Sequence, residues 1–146
     1  MLTTPPVTDV AGHLRLVVAR TARRLRQEAG QELSPSLTSA LASIDRHGPL
    51  TPSELAALER VQRPTATRLL ARLGELGLVE RAADPADRRS ALISASPQGR
   101  ALLRRVRTRK NQYLARRLAT LPAEDVATLE RAAAILERML DAEERR

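Results

Sequence analysis

The sequence predicts a mainly α chain that carries one small β-hairpin. Three observations point there. Among 146 residues Tyr113 is the one aromatic, with no Trp or Phe, so the core must be built from Leu, Val, Ile and Ala. That palette suits packed helices better than stacked sheets. Apolar residues recur at helical spacing along most of the chain. Strand-prone stretches are confined to one pair around a Pro- and Asp-containing loop. The length fits one domain with appended helices.

Residues 1–8 (MLTTPPVT) hold two prolines and no periodicity, and are expected to form a loose arm. From Asp9 to about Glu28, Val10, Leu14, Val17, Val18, Thr21 and Leu25 fall on one helical face. Ser34-Pro35 supplies an N-cap and a proline at the first helical position. The helix it opens runs through Leu37, Leu41 and Ile44 and stops at His47-Gly48-Pro49. Thr51-Pro52-Ser53-Glu54 reads as a capping box and begins a short helix from Ser53 to about Glu59. After a tight connection at 60–63, Pro64 opens another helix, which buries Ala66, Leu69, Leu70 and Leu73 and ends near Gly77. The segments LVERAA (78–83) and SALIS (90–94) then flank the loop DPADRR (84–89) as a hairpin. Ser96-Pro97 caps a long helix to about Leu118, with Leu103, Val106, Tyr113 and Leu114 on one face. The chain breaks at Leu121-Pro122. The last helix repeats Val126, Leu129, Ala133, Leu136 and Leu140 at three-four spacing, a helix-pairing seam that also takes in Met139.

Composition excludes several classes of function. With no cysteine there is no disulfide, thiolate nucleophile, thiol redox sensor or cysteine metal site. Met1 to Val10 has no basic leader region and no apolar run approaches a membrane span, so an intracellular, cytoplasmic protein without a membrane partner is expected. An enzyme is not expected either. The two histidines, His13 and His47, lie on separate helices, and His47 before Gly48 suits the negative end of a helix dipole. There is no glycine-rich phosphate loop, nucleophile–base arrangement or dense acid/His cluster. No cofactor and no metal are expected.

The formal charge is +8, and of 25 basic residues only Lys110 is lysine. Between Arg60 and Lys110 lie 13 basic and 4 acidic residues, against 12 and 13 in the rest. A positive field focused on one segment is the footprint of a polyanion binder, although arginines also simply solvate exposed helix faces. Here the charge coincides with a helix-turn-helix: helix 53–59, a turn plugged by Val61, and the helix opened by Pro64. In such a motif the second helix enters the major groove of double-stranded DNA by its N-terminal residues. Those are Arg63, Pro64, Thr65, Ala66, Thr67 and Arg68. Thr65 and Thr67 can donate to phosphate or base, Arg68 can fork onto guanine, and Arg72 reaches backbone phosphate. In the hairpin loop, Asp84 or Asp87 can hold one of Arg88 and Arg89 by a bidentate pair, leaving the other to enter the minor groove. The competing reading of that loop is a solvated turn. Helix-turn-helix plus hairpin makes a winged helix, and the long helices on either side make a dimerisation platform.

The stretch from Leu50 to Leu103 resembles the MarR family of bacterial transcription regulators. The wing Asp84-Pro85-Ala86-Asp87-Arg88-Arg89 is similar to the family's D-x-R-D-x-R signature, and Ser96-Pro97-Gln98-Gly99 to its Thr/Ser-Pro-x-Gly helix start. The resemblance covers nearly the whole chain. It implies an obligate homodimer, with 1–36 and 98–146 forming interleaved dimerisation helices around winged-helix regions at 37–97. The dimer would sit as a regulator, in all expectation a repressor, on a pseudo-palindromic operator. It also implies that Arg68 is a recognition-helix arginine, Arg89 the minor-groove arginine, and Asp87 the residue that braces the wing. Ala86 departs from the signature by replacing its first arginine. Arg60 stands where many relatives carry glycine, so the bend must tolerate a side chain there, at positive φ if it keeps the glycine geometry.

Family members often release DNA when a small, commonly aromatic, anionic ligand enters a cleft between the dimerisation helices and the winged helix. In this chain the expected walls are Leu14, Val17, Leu37, Leu41 and Leu103, with His13 or Arg15 to pair the anion. An ordinary aliphatic core is the competing reading of those residues. Two other functions compete with a regulator: a winged helix that binds protein, and an architectural protein that binds DNA without sequence preference.

Overall fold

The computed structural model describes residues 3–145. In order, the elements are α1 (Val7–Glu28), α2 (Pro35–His47), α3 (Pro52–Glu59), α4 (Arg63–Glu75), β1 (Val79–Ala83), β2 (Ala91–Ala95), α5 (Pro97–Leu118) and α6 (Ala123–Glu144). The mainly α prediction with one hairpin holds. The arm is shorter than expected: α1 starts at Val7, because Pro6 stands at its N-cap with φ −56° and its carbonyl accepts from the amides of Asp9 and Val10. Met1 and Leu2 of that arm lie outside the described residues.

The N-cap serines and threonine read from the sequence each accept an amide, although among the described residues the reciprocal bond to the Glu54 carboxylate that would complete the capping box is not made. Ser34 Oγ accepts from the Leu37 amide (3.3 Å), and Thr51 Oγ1 from the Glu54 amide (3.2 Å). Helix α4 begins one residue earlier than expected, at Arg63, with Pro64 still in the first turn, where a missing amide costs nothing. The two strands pair antiparallel in the register Val79↔Ala95 to Ala83↔Ala91. A third partner was not foreseen: Leu50 joins the hairpin through a two-way backbone pair with Ile93, at 2.9 and 2.8 Å. A lone residue of extended chain leaves no periodicity to read.

Contacts divide the chain into two compact units, Met1–Lys110 and Asn111–Arg146. The boundaries expected after residues 36 and 97 fall inside α2 and α5. In the first unit, α2 lies against α3, α4 and β2. Leu41, Ile44, Leu55, Leu70, Leu73 and Ile93 fill the centre and are almost wholly buried. Val61 packs on this cluster from the turn, and Leu69 is half-buried against it rather than buried. Ser96 ties the start of α5 to the end of α4. Its Oγ donates to the Gly77 carbonyl (2.6 Å) and accepts from the Gly99 amide (3.1 Å). Gly99 lets the backbones meet, since a Cβ there would lie 2.1 Å from the Leu78 oxygen.

Two helices find no burial within the chain. No residue of α1 or α6 is buried. On α1, Val7, Val10, Leu16, Val17 and Val18 stand exposed, and in the second unit so do Leu129, Ile135, Met139 and Leu140 of α6. Among the described residues no helix is long and apolar enough to cross a membrane.

Candidate nucleic-acid interface

Helices α3 and α4 are joined by three residues, and the bend is set by Arg60 at φ 54°, ψ 45°. This is the left-handed region, which a side chain other than glycine enters at a cost. The Arg60 amide donates to the Ala57 carbonyl, and the Val61 amide to that of Ala56, which closes the end of α3. Val61 is thereby turned onto the core before the chain enters α4.

Helix α4 is divided lengthwise. Ala66, Leu70 and Leu73 are buried, which fixes the helix on the core by one face. Arg63, Pro64, Thr67, Arg68 and Arg72 are exposed on the other, and Thr65 is half-buried. Within the first turns Arg68 Nη2 donates to Thr65 Oγ1 (3.3 Å) and Thr67 Oγ1 to the Arg63 carbonyl (3.0 Å). Arg72 is held by Glu75 (3.1 Å), an exposed i,i+3 pair that competes with any phosphate for its guanidinium.

In the wing, Asp84, Asp87, Arg88 and Arg89 come together as expected, but the brace works differently. Asp87 Oδ1 accepts from the Arg89 backbone amide (2.9 Å) and Asp84 Oδ1 from that of Ala86 (2.9 Å). Both acids therefore shape the loop through Asx turns. Among the described residues neither pairs with the Arg88 or Arg89 guanidinium, because each carboxylate folds back on its own backbone. Both arginines project from the loop exposed.

The positive segment also divides. From 60 to 95 there are seven basic and four acidic residues, whereas α5 carries eight basic residues and no acid. Most of the excess that the sequence places around the helix-turn-helix thus lies on the helix beyond the wing. Part of it is used internally. Arg105 and Arg109 grip the two oxygens of Glu32 at 3.1 and 3.2 Å, and Arg109 also donates to the Ala29 carbonyl at the end of α1 (3.0 Å). The Arg105 hydrogen bond, foremost, holds the Glu32 carboxyl below its ordinary range; desolvation, next in size, opposes it, and the Arg105 charge and Arg109 add to the lowering.

A cleft of about 860 Å³ opens beside this clasp. It is walled by the C-terminal end of α1, the link to α2, the first half of α2, and Val106 and Lys110 of α5. None of the residues expected to wall it does so. Leu41 and Leu103 belong to the core, and Leu37 packs against that core half-buried. His13, Leu14, Arg15 and Val17 lie exposed on the N-terminal half of α1, more than a turn before the cleft begins at Ala22. The cations at the cleft are Arg23, Arg26 and Lys110. Helical periodicity finds a face, but cannot say which stretch of it meets a loop far along the chain.

One carboxylate was missed altogether. Glu59 ends α3 and accepts from Ser39 Oγ (2.7 Å) and Ser43 Oγ, both on α2. Its signal was available: an acid in the last turn of a helix sits at the wrong end of the dipole and calls for donors from elsewhere.

The MarR family profile matches residues 33–91, which run from the start of α2 through the wing. An HTH-type transcriptional regulator of Mycobacterium tuberculosis is 38% identical over 133 residues, covering 90% of this chain and 93% of the relative. The multiple antibiotic resistance protein MarR of Salmonella typhimurium is 35% identical over 100 residues, 68% of this chain and 69% of its own length. A transcriptional regulator structure from Pseudomonas aeruginosa PA01 superposes with a TM-score of 0.82 at 38% identity, covering 93% of this chain and 98% of that one. Helix-turn-helix, wing and flanking helices thus recur together, and the chain belongs to the MarR family: it is a transcriptional regulator and not an enzyme.

Proposed function

We propose that the protein is a cytoplasmic homodimer that binds a pseudo-palindromic operator in double-stranded DNA and represses transcription from it. The observation that carries this reading is the lengthwise division of α4. One face is locked in the core, and the other offers Arg63, Thr67 and Arg68 on its first turns. Helix α4 enters the major groove, with Arg68 on a base edge and Arg63, Thr65, Thr67 and Arg72 on phosphate or base. Arg88 and Arg89 of the wing reach the minor groove, and Asp87 sets the loop that carries them. The partner copy covers the apolar residues that α1 and α6 expose. A small anionic ligand, aromatic or not, enters the cleft between α1, α2 and α5 and releases the DNA. With no aromatic side chain among its lining residues, the cleft recognises that ligand through Arg23, Arg26, Lys110 and aliphatic contact.

The test is binding to the DNA flanking the protein's own gene against a scrambled duplex, titrated across salt. A selective complex with a steep salt slope is expected. Equal affinity for both duplexes would make this an architectural protein, and no binding to either would leave the winged helix for protein contacts.

A further inference from the structure

Ser39 occupies two places at once. It lines the cleft, and its hydroxyl donates 2.7 Å to Oε2 of Glu59. The other carboxylate oxygen of Glu59 accepts from Ser43, one helical turn further along α2. Glu59 is the last residue of α3, and the next residue is Arg60, whose left-handed backbone aims the recognition helix. Among the described residues no positive side chain pairs with Glu59, and both of its bonds come from neutral hydroxyls of the cleft-bearing helix. A carboxylate at the negative end of α3 is favourable only while those donors are in place.

We propose that Glu59 is the positioning residue of the recognition helix, and that Ser39 is where the contents of the cleft act on it. This rests on the release of DNA by a cleft ligand proposed above. A polar group entering beside Thr38 and Ala42 competes for the Ser39 hydroxyl. Oε2 of Glu59 then loses its donor, and the carboxylate is left facing the helix-end carbonyls with Ser43 alone. The end of α3 reorients to regain a partner, and it carries the Arg60 bend and the aim of α4 with it.

The absence of cysteine makes the test clean. Ala42→Cys puts one thiol in the cleft wall, where a sulfonatoethyl methanethiosulfonate reagent can attach a small anion and a reductant can remove it. Operator affinity is measured before and after attachment in Ala42→Cys and in Ala42→Cys/Ser39→Ala. The expected result is an about tenfold loss on attachment in the first protein, reversed by reduction, and little further change in the second, which has already lost the bond. Before labelling, Ser39→Ala should itself discriminate operator from scrambled duplex less well and exchange the Arg60 to Gln62 amides faster, at an unchanged melting temperature. An equal loss on attachment in both proteins would leave cleft-driven release standing and overturn the Ser39–Glu59 route. No loss in either would overturn release by the cleft, and this proposal with it.

Discussion

Arg60 holds a backbone conformation that favours glycine, and it does so at the bend on which the recognition helix turns. Replacing it with glycine removes about 1 kcal/mol of left-handed strain, so Arg60→Gly is expected to raise the urea midpoint. The same change frees the bend, and operator selectivity should fall even as stability rises. The two probing arginines separate in another way. Arg68 already leans on Thr65 along the first turn of α4. Arg68→Ala should relax preference at one major-groove position by about 1–3 kcal/mol and spare random duplex. Equal losses on both duplexes would move Arg68 to a phosphate. Arg89 extends from a loop fixed by Asp87, and Arg89→Ala should lower the salt slope by about 1 and flatten any preference for A·T-rich flanks in the same titration.

Among the elements, those whose instructions are local were legible in the sequence. Ser34, Thr51 and Ser96 each start a helix by accepting an amide three residues ahead, and a bond of that reach is written in four consecutive letters. The hairpin and the recognition helix follow from equally short patterns. What joins the elements was not legible. The Arg105–Glu32 pair spans 73 positions and the Ser39–Glu59 bond 20, and no window of sequence brings such partners together. The cavity was not legible for the same reason: α1 shows one continuous apolar face, and only the fold says that its last turns, not its middle, line a cavity with α2 and α5. The Glu32 clasp gives a measurable consequence at this scale. Its folded pKa is depressed, so its contribution is complete above the ordinary value of 4.5 and is lost as the pH falls below that through the folded value. Glu32→Gln should therefore lower stability at neutral pH, where the contribution is complete, converge with the parent chain at low pH, and so leave a flatter acid limb below pH 4.5.

At the scale of the whole molecule, two helices of 22 residues each, α1 and α6, contain no buried residue. Most helical stability in proteins comes from packing an apolar face rather than from propensity. On the proposed dimer the missing packing comes from the second copy, which predicts a melting temperature that climbs with protein concentration. A midpoint constant over a hundredfold dilution would count against assembly through these faces. Seen from the cell, a chain that pairs as proposed would have no inert reserve of finished monomer. Each newly made copy completes its structure only on meeting another, so active regulator grows more steeply than total protein at low abundance. A gene under such control would change state over a narrower range of regulator supply than a one-chain switch would allow, with the threshold set by the exposed valines and leucines of two helices outside the proposed DNA-reading elements.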